Sequence, residues 1–507
     1  MVTEVLNVTF DGVNDVSRLP GQSSVSFDDG WMGYYSVYYG AASPGDTLDA
    51  TASFTGSNWR VKTLRIAGDD NTSTFRDLDN GSGRRIDFLE LGYNSDVDLI
   101  STRARYIFGW DGDRHDVTLG DQQVGSTFSI NLYATRNFVT TGNAWVKIID
   151  TGGEGSGAGD VITIGSGGVS TVNTWGRDDH IIANGWVRHV NTDAGNDTVQ
   201  IGSEGSFAVR TGSGADTVTT GTGWVEAINT GSGKDVVNLG SGMAGIISLG
   251  SGDDLVNLTE GAPDLGVSIR GGTGVDEVSF SGFSSGVQIV LDEDIWQSIV
   301  PATPTQEEGA AGWLHLVMVE NLTGSAYGDH LTGDGNRNAL KGLDGNDTLL
   351  GMGGEDTLTG GTGSDSLDGG GGKDLLFGGN GWDVLIGGAL NDTLVGQGGN
   401  DQLFGGHGPD ALRGGNGSDT LEGGAGNDRL NGGAGADLFV FGAGSGNDKV
   451  FDYSDADSFE ISDHAGGFAG LTIEDVNSDL RITHDGGTIL LLGEAGTTLT
   501  ADDFLFS

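Results

Sequence analysis

"GGNGSDTLEGGAGNDRL", residues 414–430, is two copies of nearly the same nine residues: a glycine pair, a third glycine two places on, an aspartate two places later and a leucine two beyond that. The period runs far outside this stretch. Asp347, Asp356, Asp365, Asp374, Asp383, Asp392, Asp401, Asp410, Asp419, Asp428 and Asp437 fall every nine residues without a break. Two places after each stands Leu349, Leu358, Leu367, Leu376, Leu385, Leu394, Leu403, Leu412, Leu421, Leu430 or Phe439, so every one of these positions is large and apolar. Upstream the pattern weakens but keeps step, with Asp329/Leu331 and Asn338/Leu340. Self-similarity at a fixed short period marks a solenoid.

Each residue type has a physical task. Glycine permits positive φ and lets neighbouring turns approach closely. A turn that tight exposes several carbonyl oxygens on its inner side, and the aspartate adds a carboxylate there. Oxygen-only ligands of this kind suit Ca²⁺, which takes six to eight of them. The residues x-Leu-x make a very short strand whose leucine points into a stacked core. Nine residues then give one turn and one strand, and eighteen give one coil of a flat parallel solenoid.

The motif G-G-x-G-x-D-x-U-x, with U large and apolar, resembles the repeat of RTX (haemolysin-type calcium-binding) proteins. The resemblance is strongest over residues 318–507. It includes "VENLTGSAYGDHLTGDGNRN" (319–338), similar to the lead-in of such arrays, and "ADLFVFGAGSGNDKV" (436–450), similar to their closing segment. It implies a calcium ion between successive turns on the same edge, held by the eleven aspartates from Asp347 to Asp437. Six of those turns lie on one edge and five on the other, giving nine gaps. Leu390 in place of a third glycine, Leu343 and Met352 in place of second glycines, and Asn338 in place of aspartate are expected to weaken their sites.

A longer repeat precedes this one. "TGSGADTVTTGTGWVEAIN" (211–229) is followed by "TGSGKDVVNLGSGMAGIIS" (230–248) and "LGSGDDLVNLT" (249–259). Its aspartates are Asp160, Asp179, Asp197, Asp216, Asp235 and Asp254, spaced 19, 18, 19, 19 and 19. Ile162, Ile181, Val199, Val218, Val237 and Val256 follow two places after each. One coil here holds two strands, and only one of its turns carries the G-x-G-x-D chemistry. Calcium along this edge, with Asp197, Asp216, Asp235 and Asp254 as ligands, is the expectation; the plainer alternative is a metal-free turn ladder. Asp96 and Asp116, twenty apart, place the start of the solenoid before residue 100.

The expected fold is all-β: a right-handed parallel β-helix/β-roll solenoid with an N-terminal β-rich cap and a C-terminal cap. The expected divisions are a cap at 1–60, a β-helix of about 19-residue repeats at 61–290, a linker at 291–317, a nonapeptide β-roll at 318–440, and a C-terminal cap with secretion signal at 441–507. Capped ends keep a solenoid soluble and block edge-to-edge pairing.

Composition narrows the function. The 507 residues include 95 glycines, 6 prolines and no cysteine, with 72 acidic against 24 basic residues and a formal net charge of −48. Phosphates would be repelled, which argues against nucleic acid. Carboxylates at this density call for multivalent cations. No run of 18 apolar residues is present, so no transmembrane segment is expected. The N-terminus shows no basic-then-apolar signal. The tail "GTILLLGEAGTTLTADDFLFS" (487–507) resembles the uncleaved C-terminal signal of type I secretion, which implies a type I export apparatus as partner and an extracellular or cell-surface location.

Catalytic motifs are sparse. None of the eight histidines is followed by glutamate, so HExxH is absent. "GFSSG" (282–286) matches G-x-S-x-G, but that motif needs a strand-to-helix turn around Ser284. Acid/base candidates in the N-terminal half are His115, Asp116, Arg103, Arg105, Asp178, His180 and His189, with no spacing that singles out a set. Trp175, Trp186 and Trp224, with Tyr34, Tyr35, Tyr38 and Tyr39, are candidates for sugar contacts, and packing in caps and coil ends is the expected role. The sequence therefore reads as a secreted calcium-binding protein whose folding depends on Ca²⁺, acting as an extracellular, cell-surface or matrix component of structural or adhesive kind. The alternative is a polysaccharide-active β-helix enzyme (lyase, epimerase or hydrolase) with an RTX module.

Overall fold

The computed structural model describes strands 3–10, 36–40, 47–54, 60–67, 73–77, 85–91, 95–99 and 103–109, and then residues 114–507 apart from 121–126, 144, 153–158, 243, 261–265, 293–294, 299–312 and 463–465. Among the described residues there is no α-helix, only two short 3-10 turns at 467–470 and 501–503. None is a helix long and apolar enough to cross a membrane. The chain divides into two units: residues 1–254 with 261–274, and residues 255–260 with 275–507.

The first unit is a parallel β-solenoid. Its first sheet pairs each strand with the one a coil later, from 3–10 on 47–54 through 95–99 on 115–119 to 217–220 on 236–238. The second sheet does the same, from 36–40 on 60–67 to 244–251 on 267–273. Two strands per coil follow from the two apolar runs in each unit of about nineteen residues. Ile162, Ile181, Val199, Val218 and Val237 stack along one wall, and Val172, Val190, Val209, Ile228 and Ile247 along the other, all essentially inaccessible. β-branched side chains suit a strand buried on its inner face.

The solenoid does reach above residue 100, since Asp96 pairs with Asp116. However, these two do not occupy the aspartate column. Register runs from His115 to Asn137, and the Asn137 N–H donates to Asp160 Oδ1. The twenty-residue spacing is right, and the positions lie one residue past the turn.

The second unit repeats the plan with eighteen residues per coil. Leu340, Leu358, Leu376, Leu394, Leu412 and Leu430 stack on one side, and Leu331, Leu349, Leu367, Leu385, Leu403, Leu421 and Phe439 on the other, none more than 2% exposed. Each leucine sits directly over its neighbour in parallel register. At the C-terminal end phenylalanines enlarge the core: Phe439 and Phe459 stack at 5.9 Å between ring centroids, and Phe459 and Phe504 at 5.4 Å. The parallel order then stops. Strands 472–476, 479–484 and 487–491 form an antiparallel meander, and the last of them pairs parallel with 446–450. Strand 504–506 closes the other sheet against 458–461.

Because each leucine fills a closed stack, truncation leaves a void that flat neighbouring coils cannot collapse to fill. Leu385→Ala is expected to cost about 2–5 kcal/mol, measured by denaturant unfolding in millimolar calcium, with partial loss confined to adjacent coils.

Candidate metal centre

The functional feature of each coil is its turn, numbered here with the aspartate at position six. In the nonapeptide array each aspartate N–H donates to the carboxylate one coil ahead. On one edge the chain of bonds runs Asp329, Asp347, Asp365, Asp383, Asp401, Asp419, Asp437, Asp457, at 2.7–3.0 Å. On the other it runs Asn338, Asp356, Asp374, Asp392, Asp410, Asp428, Asp448, at 2.7–2.9 Å. Six of the eleven strict repeats lie on the first edge and five on the second, as the period requires.

These bonds use Oδ1. The second oxygen, Oδ2, has no hydrogen-bond partner in Asp347, Asp356, Asp365, Asp374, Asp383, Asp392, Asp401, Asp410, Asp419 or Asp428, although every one of these residues is at most 3% exposed. A buried polar atom without a partner costs free energy, and here the same atom is orphaned at ten successive turns.

Backbone oxygens gather around it. A Cβ placed on Gly342 would stand 2.1 Å from Asp347 Oδ2 and 2.7 Å from the Gly360 carbonyl oxygen of the next coil. The carbonyls of positions two and four face the following coil: a Cβ on Gly361 would meet the Leu343 oxygen at 1.9 Å, and one on Gly363 the Gly345 oxygen at 1.5 Å. Gly363 also has φ of 129°. The glycines are therefore required twice over, for backbone conformation and to leave carbonyl oxygens facing the gap.

Leu343, Met352 and Leu390, the expected departures, keep the glycine conformation at φ of 86°, 74° and 81°. Gln397 is a fourth, at φ of 76°, standing at position two of its repeat. Their carbonyls keep the same orientation: a Cβ on Gly408 would stand 2.0 Å from the Leu390 oxygen.

Burial pushes these carboxyls up in the metal-free state. Asp347, Asp356, Asp401 and Asp410 are raised to about 7, and Asp383, Asp392 and Asp437 to about 6, with neighbouring aspartates of the column adding to the effect. The backbone N–H of the preceding aspartate pulls the other way. Among the described residues no three histidine or acidic side chains converge as a metal cluster. The donors here are instead one or two carboxylate oxygens and several carbonyls per gap. An oxygen-only set with orphaned anionic atoms fits Ca²⁺ and lacks the nitrogen or sulfur ligands typical of zinc.

The first unit carries one such column. Asp160, Asp179, Asp197, Asp216, Asp235 and Asp254 are linked N–H to Oδ1 at 2.6–2.8 Å, and all are at most 2% exposed. In the second unit, Asp276 donates to Glu320 Oε2 at 2.8 Å, so a glutamate serves as the rung one coil on. Asp448 and Asp457 fall outside the period of nine, whereas Glu320 keeps step with it, nine residues before Asp329, as a glutamate. Asp448 has a readable signal in "GSGND" (444–448), and Glu320 is followed two places on by Leu322; Asp457 has no glycine before it.

The other candidates are dispersed. His115 is buried in strand 115–119, while Arg103 and Arg105 lie in strand 103–109 of the other sheet. Asp116 pairs with Arg114 at 3.0 Å. His180 and His189 also lie on different sheets, His189 edge-on to Phe207 at 5.6 Å, and Asp178 Oδ1 caps the Asn196 N–H at 2.7 Å. Ser284 is exposed, donates to Glu260, and is followed by strand 288–290, not a helix. Trp186 stacks on Trp145 at 6.0 Å, Trp175 donates to Asp150 at 2.8 Å, and Trp224 is exposed. Tyr34 and Tyr35 lie outside the described residues; Tyr38 and Tyr39 are in strand 36–40.

A ladder of turns that gathers only oxygen defines a calcium-binding repeat protein. Residues 319–447 match the RTX calcium-binding nonapeptide repeat in five segments: 319–349, 341–376, 350–385, 377–412 and 413–447. The chain therefore carries an RTX, haemolysin-type array, and Ca²⁺ is its ion. No curated protein matches the chain. Among solved structures it is similar to extracellular lipase LipA from Serratia marcescens, at 18% identity over 37% of this chain and 40% of that one, TM-score 0.22. It is also similar to the AlgE6R3 and AlgE6R2 subunits of the Azotobacter vinelandii mannuronan C5-epimerase, at 27% and 30% identity, covering 25% and 28% of this chain and 80% and 91% of those, TM-scores 0.15 and 0.16. The chain thus spans less than half of the lipase.

Two outcomes follow. With calcium chelated, carboxyls whose folded pKa is raised stabilise the roll only while protonated, so that contribution is complete below about pH 4 and is lost as pH rises through 6–7. β signal by circular dichroism should be greater at pH 5 than at pH 8 without metal, and the order should reverse in millimolar calcium, where protons compete for the ligands. Separately, Leu390→Gly should raise the melting temperature in calcium by a few degrees, about 1 kcal/mol, because relief of a left-handed β-carbon exceeds the added unfolded-chain entropy.

Proposed function

We propose that this chain is a secreted protein whose folding is switched on by extracellular calcium, and that once folded it serves as an extracellular, cell-surface or matrix component. The observation that carries this reading is the column of buried carboxylates with orphaned Oδ2 atoms. In the nonapeptide array the ligands are Asp347, Asp356, Asp365, Asp374, Asp383, Asp392, Asp401, Asp410, Asp419, Asp428 and Asp437 with the carbonyls facing each gap. The ion supplies the positive charge that lets the carboxylates stay ionised in a dry turn.

The magnitude is sufficient to decide folding. At a calcium concentration ten times the dissociation constant, each site contributes about 1.4 kcal/mol, and nine together about 13 kcal/mol, comparable to the whole stability of a domain. Extracellular-type sites with constants around 10⁻⁴–10⁻³ M fill outside the cell and stay empty in a low-calcium cytosol. There the net charge of −48 keeps the chain expanded and suited to threading through an export channel. The C-terminal tail's resemblance to a type I secretion signal supports that route. Of the acid/base candidates, His115, Asp116 and His180 lie on one sheet and Arg103, Arg105 and His189 on the other, which gives the alternative of a polysaccharide-active enzyme less support.

The deciding experiment is far-UV circular dichroism during calcium titration of the chelated chain, with magnesium as control. A cooperative gain of β signal in calcium alone is expected. Equal response to both ions, or none, would remove calcium as the folding switch.

A further inference from the structure

The nonapeptide match begins at residue 319 and does not reach the first unit. Yet the turn edge there repeats the same anomaly. Asp179, Asp197, Asp216 and Asp235 are each at most 2% exposed and leave Oδ2 without a hydrogen-bond partner, while Oδ1 accepts the N–H of the preceding rung. The carbonyls of positions two and four face the next coil as they do in the nonapeptide turns. A Cβ on Gly212 would stand 1.8 Å from the Asp193 oxygen and one on Gly214 1.8 Å from the Gly195 oxygen; on Gly231 and Gly233 the distances to Gly212 and Gly214 are 1.9 and 1.8 Å.

Position one differs. Threonine replaces glycine at Thr174, Thr192, Thr211 and Thr230. The hydroxyls of Thr192, Thr211 and Thr230 donate to the carbonyls of Thr211, Thr230 and Leu249 at 3.1, 3.1 and 2.9 Å. Each hydroxyl has a single proton, directed at a carbonyl, and it also lies close enough to the carboxylate beside it to lower Asp197, Asp216 and Asp235 against the larger upward push of burial. Its oxygen lone pairs remain, adding a neutral hard ligand where the nonapeptide array has none. The charged groups acting on Asp197 are Asp216 and Asp178, both acidic, so no side-chain cation among them balances Asp197; Arg177 acts on Asp160, at the start of the column.

We infer that the turn edge from Thr174 to Asp254 is a second, one-sided calcium ladder, with ions held between successive coils by Asp179, Asp197, Asp216, Asp235 and Asp254, by the position-two and position-four carbonyls, and by the threonine hydroxyl oxygens. It rests on the calcium reading above for the identity of the ion. Among the described residues the opposite edge of the same coils has no matching carboxylate column: Gly165 and Gly240 there donate to the hydroxyls of Thr141 and Thr220, each at 3.1 Å.

The test is the number of calcium ions bound per full-length chain at millimolar free calcium, by equilibrium dialysis and atomic absorption. It compares the parent with Asp197→Asn, Asp216→Asn and Asp235→Asn combined. Asparagine keeps the Oδ1 acceptor and removes the anion, and it is already present in the other ladder at Asn338. Four gaps touch these residues, namely 179/197, 197/216, 216/235 and 235/254, so a loss of four ions is expected. Unchanged stoichiometry in a variant that still gains β structure with calcium would overturn the second ladder and leave the nonapeptide sites standing. A parent chain that binds no calcium would instead overturn the reading beneath it. Should the triple variant fail to fold, Asp216→Asn alone borders two gaps; loss of two ions supports the ladder and loss of none rejects it.

Discussion

A carboxylate shut away from water costs several kcal/mol unless something neutralises it, and this chain repeats that cost at every coil. The aspartates cannot retreat to solvent, because each is tied to its neighbour through a backbone N–H and sits on the inner side of a glycine turn. Nor can they be diluted, because parallel stacking places the next one directly over the last. The core depends on the same arrangement. Leucines meet in register only when the turns close, and the turns close only when their oxygens are balanced. Charge at the edge and apolar packing at the centre are therefore one cooperative unit, and the acidic composition that would otherwise favour disorder becomes the condition for order.

The two units solve this with different turn chemistry. Nonapeptide turns have glycine at position one, so the carboxylate lies over a bare Cα with the next coil's position-one carbonyl close by. In the first unit threonine occupies that place and ties the carbonyl up with its hydroxyl. The second arrangement holds neighbouring coils together through side chain as well as backbone, and its opposite turns, which include Trp186, Glu204 and Trp224, carry no matching carboxylate column among the described residues. The number of acidic edges per coil, and so the dependence on cation, is written in the residues at position one and in the opposite turn.

Much of this was legible beforehand because period nine ties aspartate and leucine to fixed places on the coil. The nonapeptide array, its two edges and its core positions follow from that spacing, and the longer repeat, spaced 18 or 19, places the single acidic edge of the first unit. What escaped were two places where the spacing breaks, Asp448 and Asp457, which stand twenty residues beyond their partners, and one where the spacing holds but the residue type changes, Glu320. Gln397 was passed over because a polar residue at a glycine position carries no apolar signal, although its φ is as constrained as that of Leu390. Asp96 and Asp116 misled by one residue, since pairing register, not composition, decides which side of a strand's first residue meets the turn. The role of threonine at position one required hydrogen-bond directions, which no pattern of letters contains.

The bond from each aspartate to the carboxylate eighteen residues ahead also sets a rule for how such a chain can change length. A duplication or deletion of one whole coil rejoins identical partners and leaves the terminal meander facing the same way. A change of half that size moves every later aspartate to the opposite edge, exchanges the two sheets and turns the closing segment to the wrong side. Drift in repeat number should therefore proceed in whole coils, and a lineage of such proteins would differ by even numbers of nonapeptides.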